Sequence, residues 1–184
     1  IKEATEQRGL CNYRTTPDCI PHVLDKKNVD MLVGHKVFTE AELKSRCEIQ
    51  LENYCKTVVI EANTMVSMAK TLIAPAVEAY AADVAKAVAA KRLVDANLPC
   101  KYESKLIKNL SALTDRIASC IEELEMALQE LHEAKDVADE ANAIRDNVLE
   151  KMNALRIACD EAELLTAKKY WPFPTYSDLL FGVK

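Results

Sequence analysis

Apolar residues recur at every third or fourth position over most of this chain, which is the spacing of one face of an α-helix. A first long stripe consists of Leu51, Tyr54, Val58, Ala62, Met65, Ala69, Leu72, Ala76, Tyr80, Val84, Ala87 and Val94. Pro75 lies within this stripe, and proline both lacks a backbone N–H and clashes with the preceding helical turn. The pattern therefore predicts one long helix that is kinked near Thr71–Pro75.

The start of this helix is marked by a capping signal. Thr39 is a favourable N-cap residue, and Glu42 three positions later completes a capping box. Phe38 and Leu43 are spaced for a hydrophobic staple across the same cap. The next stop signal is at 97–99, so nearly sixty residues would span roughly 85 Å. A helix of that length is expected to bridge two bodies of structure.

Two further stripes predict a helical hairpin. The second helix starts near Lys101, and its stripe has heptad spacing at Leu106, Leu110, Leu113, Ile117, Cys120, Leu124, Ala127 and Leu131. The third starts near Asp136, with the stripe Val137, Ala141, Ile144, Val148, Met152, Leu155, Cys159 and Ala162. We place the junction between His132 and Asp136, with a single bent helix as the alternative. Helices of matched length with a short link pack antiparallel, and we expect this pair to lie on the second half of the first long helix.

The two ends of the chain differ from its helical middle. Residues 1–38 contain two of the three glycines, and the pattern predicts a turn and short helix at 16–18 and another short helix that ends near Gly34. No further glycine occurs before Gly182. Near the C-terminus, Pro172 and Pro174 prevent a helix and predict an extended tail.

The tail is rich in aromatic residues. It holds five of the ten in the chain, which are Tyr170, Trp171, Phe173, Tyr176 and Phe181. Large rings are costly to leave in water, since a buried one contributes about 2–3 kcal/mol. The rings are therefore expected to close the core of this module or, as the sharper hypothesis, to dock on a neighbouring subunit or domain.

Together these patterns predict an all-α fold. It comprises a long kinked helix and an antiparallel helical hairpin that form an elongated three-helix bundle, with short N-terminal helices and an extended aromatic C-terminal tail.

Charge and composition exclude several classes of partner. The chain has 184 residues, a net charge of −5 and a pI near 5.3, which argues against nucleic acid or an anionic membrane as the main partner. No apolar run approaches the 18 or so residues that a membrane span needs. The start, Ile1–Ala4, is not a signal peptide and lacks an initiator Met, so we expect the chain to be cut from something longer.

Catalytic motifs are missing from the sequence. Three isolated glycines exclude a P-loop and a GxGxxG loop, and no GxSxG occurs. His22, His35 and His132 stand far apart without HxxxH or ExxH spacing, which argues against a metal site. Seven cysteines without a CxxC pair, among them Cys47 and Cys55 on one helix face, are expected to be small buried hydrophobes.

One charged segment has two interpretations. Residues 122–140 contain eight carboxylates and one lysine. Such a run is usually a solvated face, and the alternative is a contact surface for a basic partner.

Four segments carry a resemblance to a known family. Residues 8–17, 38–54, 58–65 and 169–181, the last reading Lys-Tyr-Trp-Pro-Phe-Pro-Thr-Tyr-Ser-Asp-Leu-Leu-Phe, resemble the C-terminal part of type III glutamine synthetase. The segment from Val29 to Leu43 is similar to the closing segment of the catalytic domain in glutamine synthetases generally. The resemblance implies that residues 1–55 end the catalytic domain and that residues 56–184 form the helical extension of the type III enzymes.

The resemblance also implies a function. The family ligates ammonia to glutamate with ATP and Mg²⁺ or Mn²⁺, and its metal-binding carboxylates and phosphate-binding loops lie upstream of every segment matched here. The fragment is therefore expected to be non-catalytic and to serve assembly, subunit contact or regulation in a cytoplasmic homo-oligomer. Its partners would be its own catalytic domain and neighbouring subunits. The alternatives are an independent helical scaffold or adaptor, and a small-molecule pocket between bundle and tail.

Overall fold

Helices make up the regular structure of the part of the chain that the computed structural model describes, which is residues 1–174 and 176–182. No strand occurs within these ranges, so the fold is all-α, as predicted. The side chains of Tyr176 and Ser177 lie outside the described part, although the backbone of both is in a helix.

The helices follow one another in a simple order. They are α1 (Lys2–Glu6), α2 (Thr16–Cys19), α3 (Lys26–Gly34), α4 (Glu40–Met68), α5 (Ala74–Val94), α6 (Lys101–Glu130), α7 (Val137–Ala143), α8 (Leu149–Leu165) and α9 (Tyr176–Phe181). Turns of 3₁₀-helix occupy Ile20–Leu24 and Leu131–Glu133. Turns of π-helix occupy Ala69–Ile73 between α4 and α5, and Ile144–Val148 between α7 and α8.

The chain divides into two compact units. Unit 1 comprises Ile1–Glu61 and Leu128–Leu149, and unit 2 comprises Ala62–Ala127 and Glu150–Lys184. The core of unit 1 contains Leu43, Cys47, Leu51, Cys55, Val58, Ala141, Ile144 and Val148. The core of unit 2 contains Ala62, Val66, Ala69, Ile73, Val77, Ala81, Cys100, Leu106, Leu110, Leu113, Ile117, Ile121, Leu124, Ala127, Leu155, Ala158, Cys159 and Ala162. The domain division at residue 55 stays a prediction.

The capping box at the start of α4 is confirmed. The backbone N–H of Thr39 donates to Oε2 of Glu42 at 2.7 Å, and the N–H of Glu42 donates to Oγ1 of Thr39 at 3.2 Å. The bond from the Thr39 N–H holds the pKa of the Glu42 carboxyl below its usual range. Leu43 is buried, and the guanidinium of Arg46 lies 4.6 Å from the ring centre of Phe38.

The end of α3 was predicted near Gly34 and lies there, but another residue makes the turn. Gly34 is the last helical residue, and Lys36 takes the left-handed conformation with φ of 55°. The N–H of Lys36 donates to the carbonyl of Val33, and that of Val37 donates to the carbonyl of Leu32, both at 2.9 Å. These are the two bonds of a Schellman motif, so the terminating position falls two residues after the glycine.

An interruption of the long helix before Pro75 is found as a π turn. Pro75 has no N–H to donate to the carbonyl four residues earlier, and the N–H of Ala74 instead donates to the carbonyl of Ala69, five residues back. The carbonyl of Ser67 also accepts the Thr71 hydroxyl at 2.7 Å. The chain thus remains helical past the proline.

The π turn makes the predicted apolar face wrong beyond Ala69. Leu72 is exposed, and Ala76 and Tyr80 are only half-buried. The buried face continues instead through Ile73, Val77 and Ala81, each one position later than predicted. The reason is that a π turn holds one more residue than an α-helical turn, which rotates every later side chain by one position.

The first long helix also ends earlier than expected. Helix α5 stops at Val94, three residues before Asn97, because Asp95 is extended and its Oδ1 accepts the N–H of Asn97 at 2.9 Å. The alanine-rich part of α5 after Ala81 is largely exposed, and so is Val94.

The second and third predicted helices start where they were predicted to start. Helix α6 begins at Lys101, and α7 begins after an N-cap at Asp136, whose Oδ1 accepts the N–H of Asp139 at 2.8 Å. The 3₁₀ turn at Leu131–Glu133 and the extended Ala134 separate the two, so they are not one bent helix. The sequence of the π turn at Ile144–Val148 contains no proline or glycine that would predict it.

Ion pairs join the helices of unit 2. They are Lys70–Glu125 at 2.6 Å, Lys91–Glu103, Arg116–Glu161 at 2.7 Å and Lys151–Glu123 at 2.9 Å. Each links α6 to a residue of the Ala69–Ile73 turn, of α5 or of α8. Exposed pairs of this kind contribute little to stability, but they report which helix positions face one another.

Candidate functional site

The predicted docking tail begins with a tight turn at the end of α8. The buried Thr166 donates its hydroxyl to the carbonyl of Ala162 at 2.7 Å. The carbonyl of Ala167 then accepts the N–H groups of both Tyr170, at 2.8 Å, and Trp171, at 3.3 Å. Unit 2 thereby holds the first aromatic residue of the tail in a defined position.

Tyr170 lies against helix α5. Its ring centre is 5.2 Å from that of Tyr80, and its hydroxyl donates to a carboxylate oxygen of Asp83. Lys86 donates to the other oxygen of Asp83 at 3.0 Å, and the ammonium of Lys169 lies 5.2 Å from the centre of the Tyr170 ring. A tilted contact between two aromatic rings, a charge-assisted hydrogen bond and two cations therefore hold this residue on its own module.

The titration of the Tyr170 contact follows from its geometry. The hydrogen bond from Tyr170 lowers the pKa of Asp83, and Lys86 lowers it further. The same bond raises the pKa of Tyr170, because the phenol donates to an anion. The contact is thus strongest when Asp83 is ionised and Tyr170 is neutral.

The remaining aromatic residues of the tail divide into two groups. Trp171 and Phe173 are half-buried and meet edge to face, with ring centres 6.2 Å apart. Phe181 is 79% exposed, and Leu179 and Leu180 beside it are also exposed. The side chain of Tyr176 lies outside the described residues.

The prediction of an extended tail is wrong over its last part. Residues 171–174 have no regular secondary structure, whereas Tyr176–Phe181 form helix α9. Proline restricts the residue before it but does not prevent a helix from starting after it. Lys168 also pairs with Asp178 in the first turn of α9 at 2.5 Å, where an acidic residue is favourable.

Sequence reasoning missed a charged cluster in unit 1. Arg145 donates from Nε and Nη2 to both carboxylate oxygens of Asp146, at 2.7 and 2.8 Å, and from Nη1 to Oδ1 of Asp18 at 2.5 Å. Arg145 is half-buried and lies in the π turn Ile144–Val148. Adjacent residues do not face each other on a regular helix, so the sequence held no signal for the Arg145–Asp146 pair.

The cluster adjoins Tyr54 of α4. The Tyr54 hydroxyl is buried and has no hydrogen-bond partner within the described part of the chain. Burial raises the pKa of Tyr54, and the charges of Arg145, Asp146 and Asp18 also act on it. The cluster joins α2 to the segment that follows α7, two parts of the chain more than a hundred residues apart in sequence.

The cysteines fulfil their prediction only in part. All seven are free thiols, and Cys47, Cys55, Cys100 and Cys159 are buried, as expected. Burial raises the pKa of Cys55 and of Cys159 to about 11, so both are protonated at neutral pH. The prediction is wrong for Cys11 and Cys19, which are exposed because the short helices around them bury only Pro17.

The described residues offer no ligand set for a metal. Across 1–174 and 176–182, no three His, Cys, Asp or Glu side chains are grouped to hold an ion. None of the helices described combines the length and apolarity that crossing a bilayer would require. A surface depression on α4 is lined by Glu42, Ser45, Arg46, Ile49 and Gln50, and neither a histidine nor a cysteine is among them.

The first fifty residues of unit 1 expose a series of large apolar side chains. They are Ile1, Leu10, Tyr13, Leu24, Met31, Val33, Val37 and Ile49. Helices α1 and α3 bury no side chain at all. Grouped exposed apolar residues mark surfaces that contact other protein.

Comparison with known proteins places these features in a family. A family model described as the glutamine synthetase C-terminal domain matches residues 1–92. The chain is 32% identical over 183 residues to the glutamine synthetase of Butyrivibrio fibrisolvens, which covers 99% of this chain and 26% of that protein. It is 29% identical over 184 residues to the type-3 glutamine synthetase of Dictyostelium discoideum, covering 98% of this chain and 25% of that protein. The glutamine synthetase of Bacteroides fragilis (strain YCH46) is 26% identical over 186 residues, with shares of 98% and 25%. The chain therefore spans about a quarter of the length of these relatives.

The Tyr170 contact predicts a pH dependence of the tail. The lowered pKa of Asp83 contributes stability above the usual pKa of an aspartate, and this is lost as the pH falls through the lowered value. The raised pKa of Tyr170 contributes stability below the usual pKa of tyrosine, and this is lost as the pH rises. We expect Tyr170 to be fully docked on α5 between about pH 5 and about pH 9.

Fluorescence of Trp171, the single tryptophan of the chain, measures the docking of the tail. Tyr170→Phe should flatten both limbs while the exposed Tyr102→Phe does not, and identical profiles for the two variants would contradict the assignment.

The Arg145 cluster predicts a coupled loss of stability. Arg145→Met should lower the thermal midpoint by several degrees, because Asp18 and Asp146 would keep their charges without their partner. Arg156→Met is the matched control, since Arg156 is exposed and pairs only one turn along its own helix, a contact of about 0.5 kcal/mol or less. Asp18→Asn combined with Arg145→Met should lose less than the sum of the single variants. Strict additivity in this cycle would show that Arg145 and Asp18 do not interact.

Proposed function

The chain belongs to the glutamine synthetase C-terminal domain family, and we propose on this basis that it is the C-terminal part of a type III glutamate–ammonia ligase. The observation that carries the proposal is the match over 98–99% of this chain to proteins four times its length that are named glutamine synthetases. The parent enzyme would condense ammonia with glutamate and cleave ATP to ADP and phosphate, in the cytoplasm.

The chain itself would take no part in the chemistry. A phosphate cradle needs clustered glycines, and the three glycines here are far apart. Divalent ions need converging carboxylates or imidazoles, which the described residues do not group. We therefore assign ATP and the Mg²⁺ or Mn²⁺ ions to the rest of the parent protein.

The apolar surface of unit 1 would contact the catalytic domain of the parent. Residues 1–55 would form the end of that domain, and residues 56–184 the helical extension. Support comes from Met31, Val33 and Val37, which follow one another at the end of α3 and are all exposed. Such side chains would be buried by the chain that precedes this one in the parent.

For unit 2 we propose an antiparallel three-helix bundle. Lys70 pairs with Glu125, and Lys91 pairs with Glu103. The later residue before α6 thus contacts the earlier residue of α6, as expected for antiparallel helices. Arg116 pairs with Glu161 and Lys151 with Glu123, which gives the same relation between α6 and α8. These ion pairs support α6 as the middle of three helices, with α5 and α8 antiparallel to it.

The tail would hold neighbouring subunits of a homo-oligomer. Tyr170, Trp171 and Phe173 would position it on this module, since Tyr170 is bonded to α5 and the other two rings pack together. Phe181 with Leu179 and Leu180 would be buried by the neighbour. Tyr176 belongs to the same proposed surface by its place in α9.

The ligase assignment predicts a clear division of activity. The full reading frame that contains this chain should form glutamine from glutamate, ammonia and ATP with Mg²⁺, as measured by glutamine and phosphate release. The 184-residue chain alone should give no turnover under the same conditions. Turnover by the chain alone would disprove the proposal that it is non-catalytic. A reading frame that begins close to Ile1, or a longer product that forms no glutamine, would favour an independent scaffold instead.

The tail proposal predicts a change in assembly. In the full-length parent, Leu180→Ser should lower the subunit number or shift the assembly to dissociation at higher protein concentration, measured by mass photometry. The loss of one buried leucine corresponds to about 1.5–3 kcal/mol at each contact. Ile60→Ser is the control, because Ile60 is exposed to a similar degree but lies in unit 1. An unchanged assembly for Leu180→Ser would remove α9 from the subunit contact.

A further inference from the structure

Two cysteines of unit 2 lie on helices that are joined by ion pairs. Cys120 is in α6 and Cys159 is in α8, and both are free thiols. Cys120 is half-buried, whereas Cys159 is buried. Neither thiol has a part in the function proposed above, so their placement needs a separate explanation.

The ion pairs between α6 and α8 bracket both cysteines. Arg116 pairs with Glu161 at 2.7 Å, and Lys151 pairs with Glu123 at 2.9 Å. Position 120 lies between 116 and 123 on α6, and position 159 lies between 151 and 161 on α8. Residues 116, 120 and 123 share one face of α6, because they are four and three residues apart. The face that carries Cys120 is therefore the face whose charged residues contact α8.

The side chains of the two cysteines lean toward each other. Side chains of an α-helix lean toward its N-terminus. In the antiparallel arrangement proposed above, Cys159 leans away from the nearby Glu161 and toward the Lys151–Glu123 pair. Cys120 leans in the opposite direction, toward the level of Glu161. The two sulfur atoms thus point into the same interval between the ion pairs.

The two helices can approach closely at this level. Ala158 and Ala162, on either side of Cys159, are small and completely buried. Helix axes pack about 8–10 Å apart, and each Cα atom lies about 2.3 Å from its axis. Facing Cα atoms can therefore come within the range of about 4.4–6.8 Å that a disulfide spans.

The electrostatics place the two thiols near each other and distinguish their reactivity. Burial, with smaller contributions from Asp160 and Cys120, raises the pKa of Cys159 to about 11. Glu123 raises the pKa of Lys151, and Cys120 acts in the same direction. Cys159 is thus buried and protonated at neutral pH, whereas Cys120 is half-buried and lies near a lysine ammonium. Cys120 is therefore the thiol that a small oxidant would reach first.

We propose that Cys120 and Cys159 form a peroxide-sensitive thiol pair that closes into a reversible disulfide between α6 and α8. The Cys120 thiolate attacks one oxygen of hydrogen peroxide, the O–O bond breaks, and the leaving hydroxide takes up the proton released by Cys120 to give water. Cys120 is then a sulfenic acid. The sulfur of Cys159 attacks the sulfur of Cys120, the S–O bond breaks, and the leaving hydroxide takes the Cys159 proton as a second water. Two thiols are oxidised and one peroxide is reduced.

The inference goes beyond the proposed function. It rests on the arrangement of α6 and α8 within unit 2 and holds whether or not the parent protein is a ligase, which the glutamine assay decides separately.

The test uses the 184-residue chain with Cys11→Ser and Cys19→Ser, because these two exposed thiols would themselves react with peroxide. Hydrogen peroxide added to the reduced chain should lower the number of thiols, counted after denaturation, by two. Peptide mass spectrometry should find one pair of peptides, linked through Cys120 and Cys159. Non-reducing electrophoresis should show that the link lies within one chain, and dithiothreitol should restore both thiols.

The controls separate this pair from the other thiols. Cys100→Ser should leave the link unchanged, because Cys100 is also buried in unit 2 but belongs to no such pair. Cys159→Ser should leave Cys120 as a sulfenic acid that dimedone traps, with circular dichroism verifying that the variant remains helical. An unchanged thiol count would overturn the proposal. So would a link between other cysteines or between two chains, or equal trapping of Cys120 with and without Cys159.

Discussion

Burial of the apolar face of α6 is the constraint on which the rest of unit 2 depends. Seven side chains of this helix are buried, and Leu110, Ile117 and Leu124 are completely so. Each fully buried side chain of this size stabilises the fold by about 2 kcal/mol, which no surface ion pair of this chain can match. The ion pairs that link α6 to α5, to α8 and to the Ala69–Ile73 turn are weaker than this burial.

The two π turns adjust that register. The first removes the conflict between Pro75 and helical hydrogen bonding, and it shifts the buried face of α5 by one residue. The second carries Arg145 to a position from which one guanidinium bonds both Asp146 and Asp18. Extra residues in helical turns are costly and recur at sites with a structural or functional task. In this chain, the helix continues through each of these π turns, while the turn changes the positions of the side chains that follow it or lie in it.

Both units expose large apolar side chains, and the chain spans about a quarter of the length of its relatives. Unit 2 holds Tyr170 firmly on α5 and leaves Phe181 in solvent, so one end of the tail is internal and the other is available to a neighbour.

The sequence by itself determined the all-α class, the capped start of α4, the starts of α6 and α7 and the family, because these depend on local spacing, caps and matching segments. It also located the interruption before Pro75. Only the tertiary structure decided which side chains face the core beyond Ala69, since Pro75 marks an interruption of the helix but does not specify a π turn, which changes the helical period. The Arg145–Asp18 pair and the short helix α9 were equally beyond the sequence. The Arg145–Asp18 pair joins residues distant along the chain, and no local pattern records which distant partner a side chain will meet. Helix α9 starts after Pro174, and a proline does not determine whether a helix follows it.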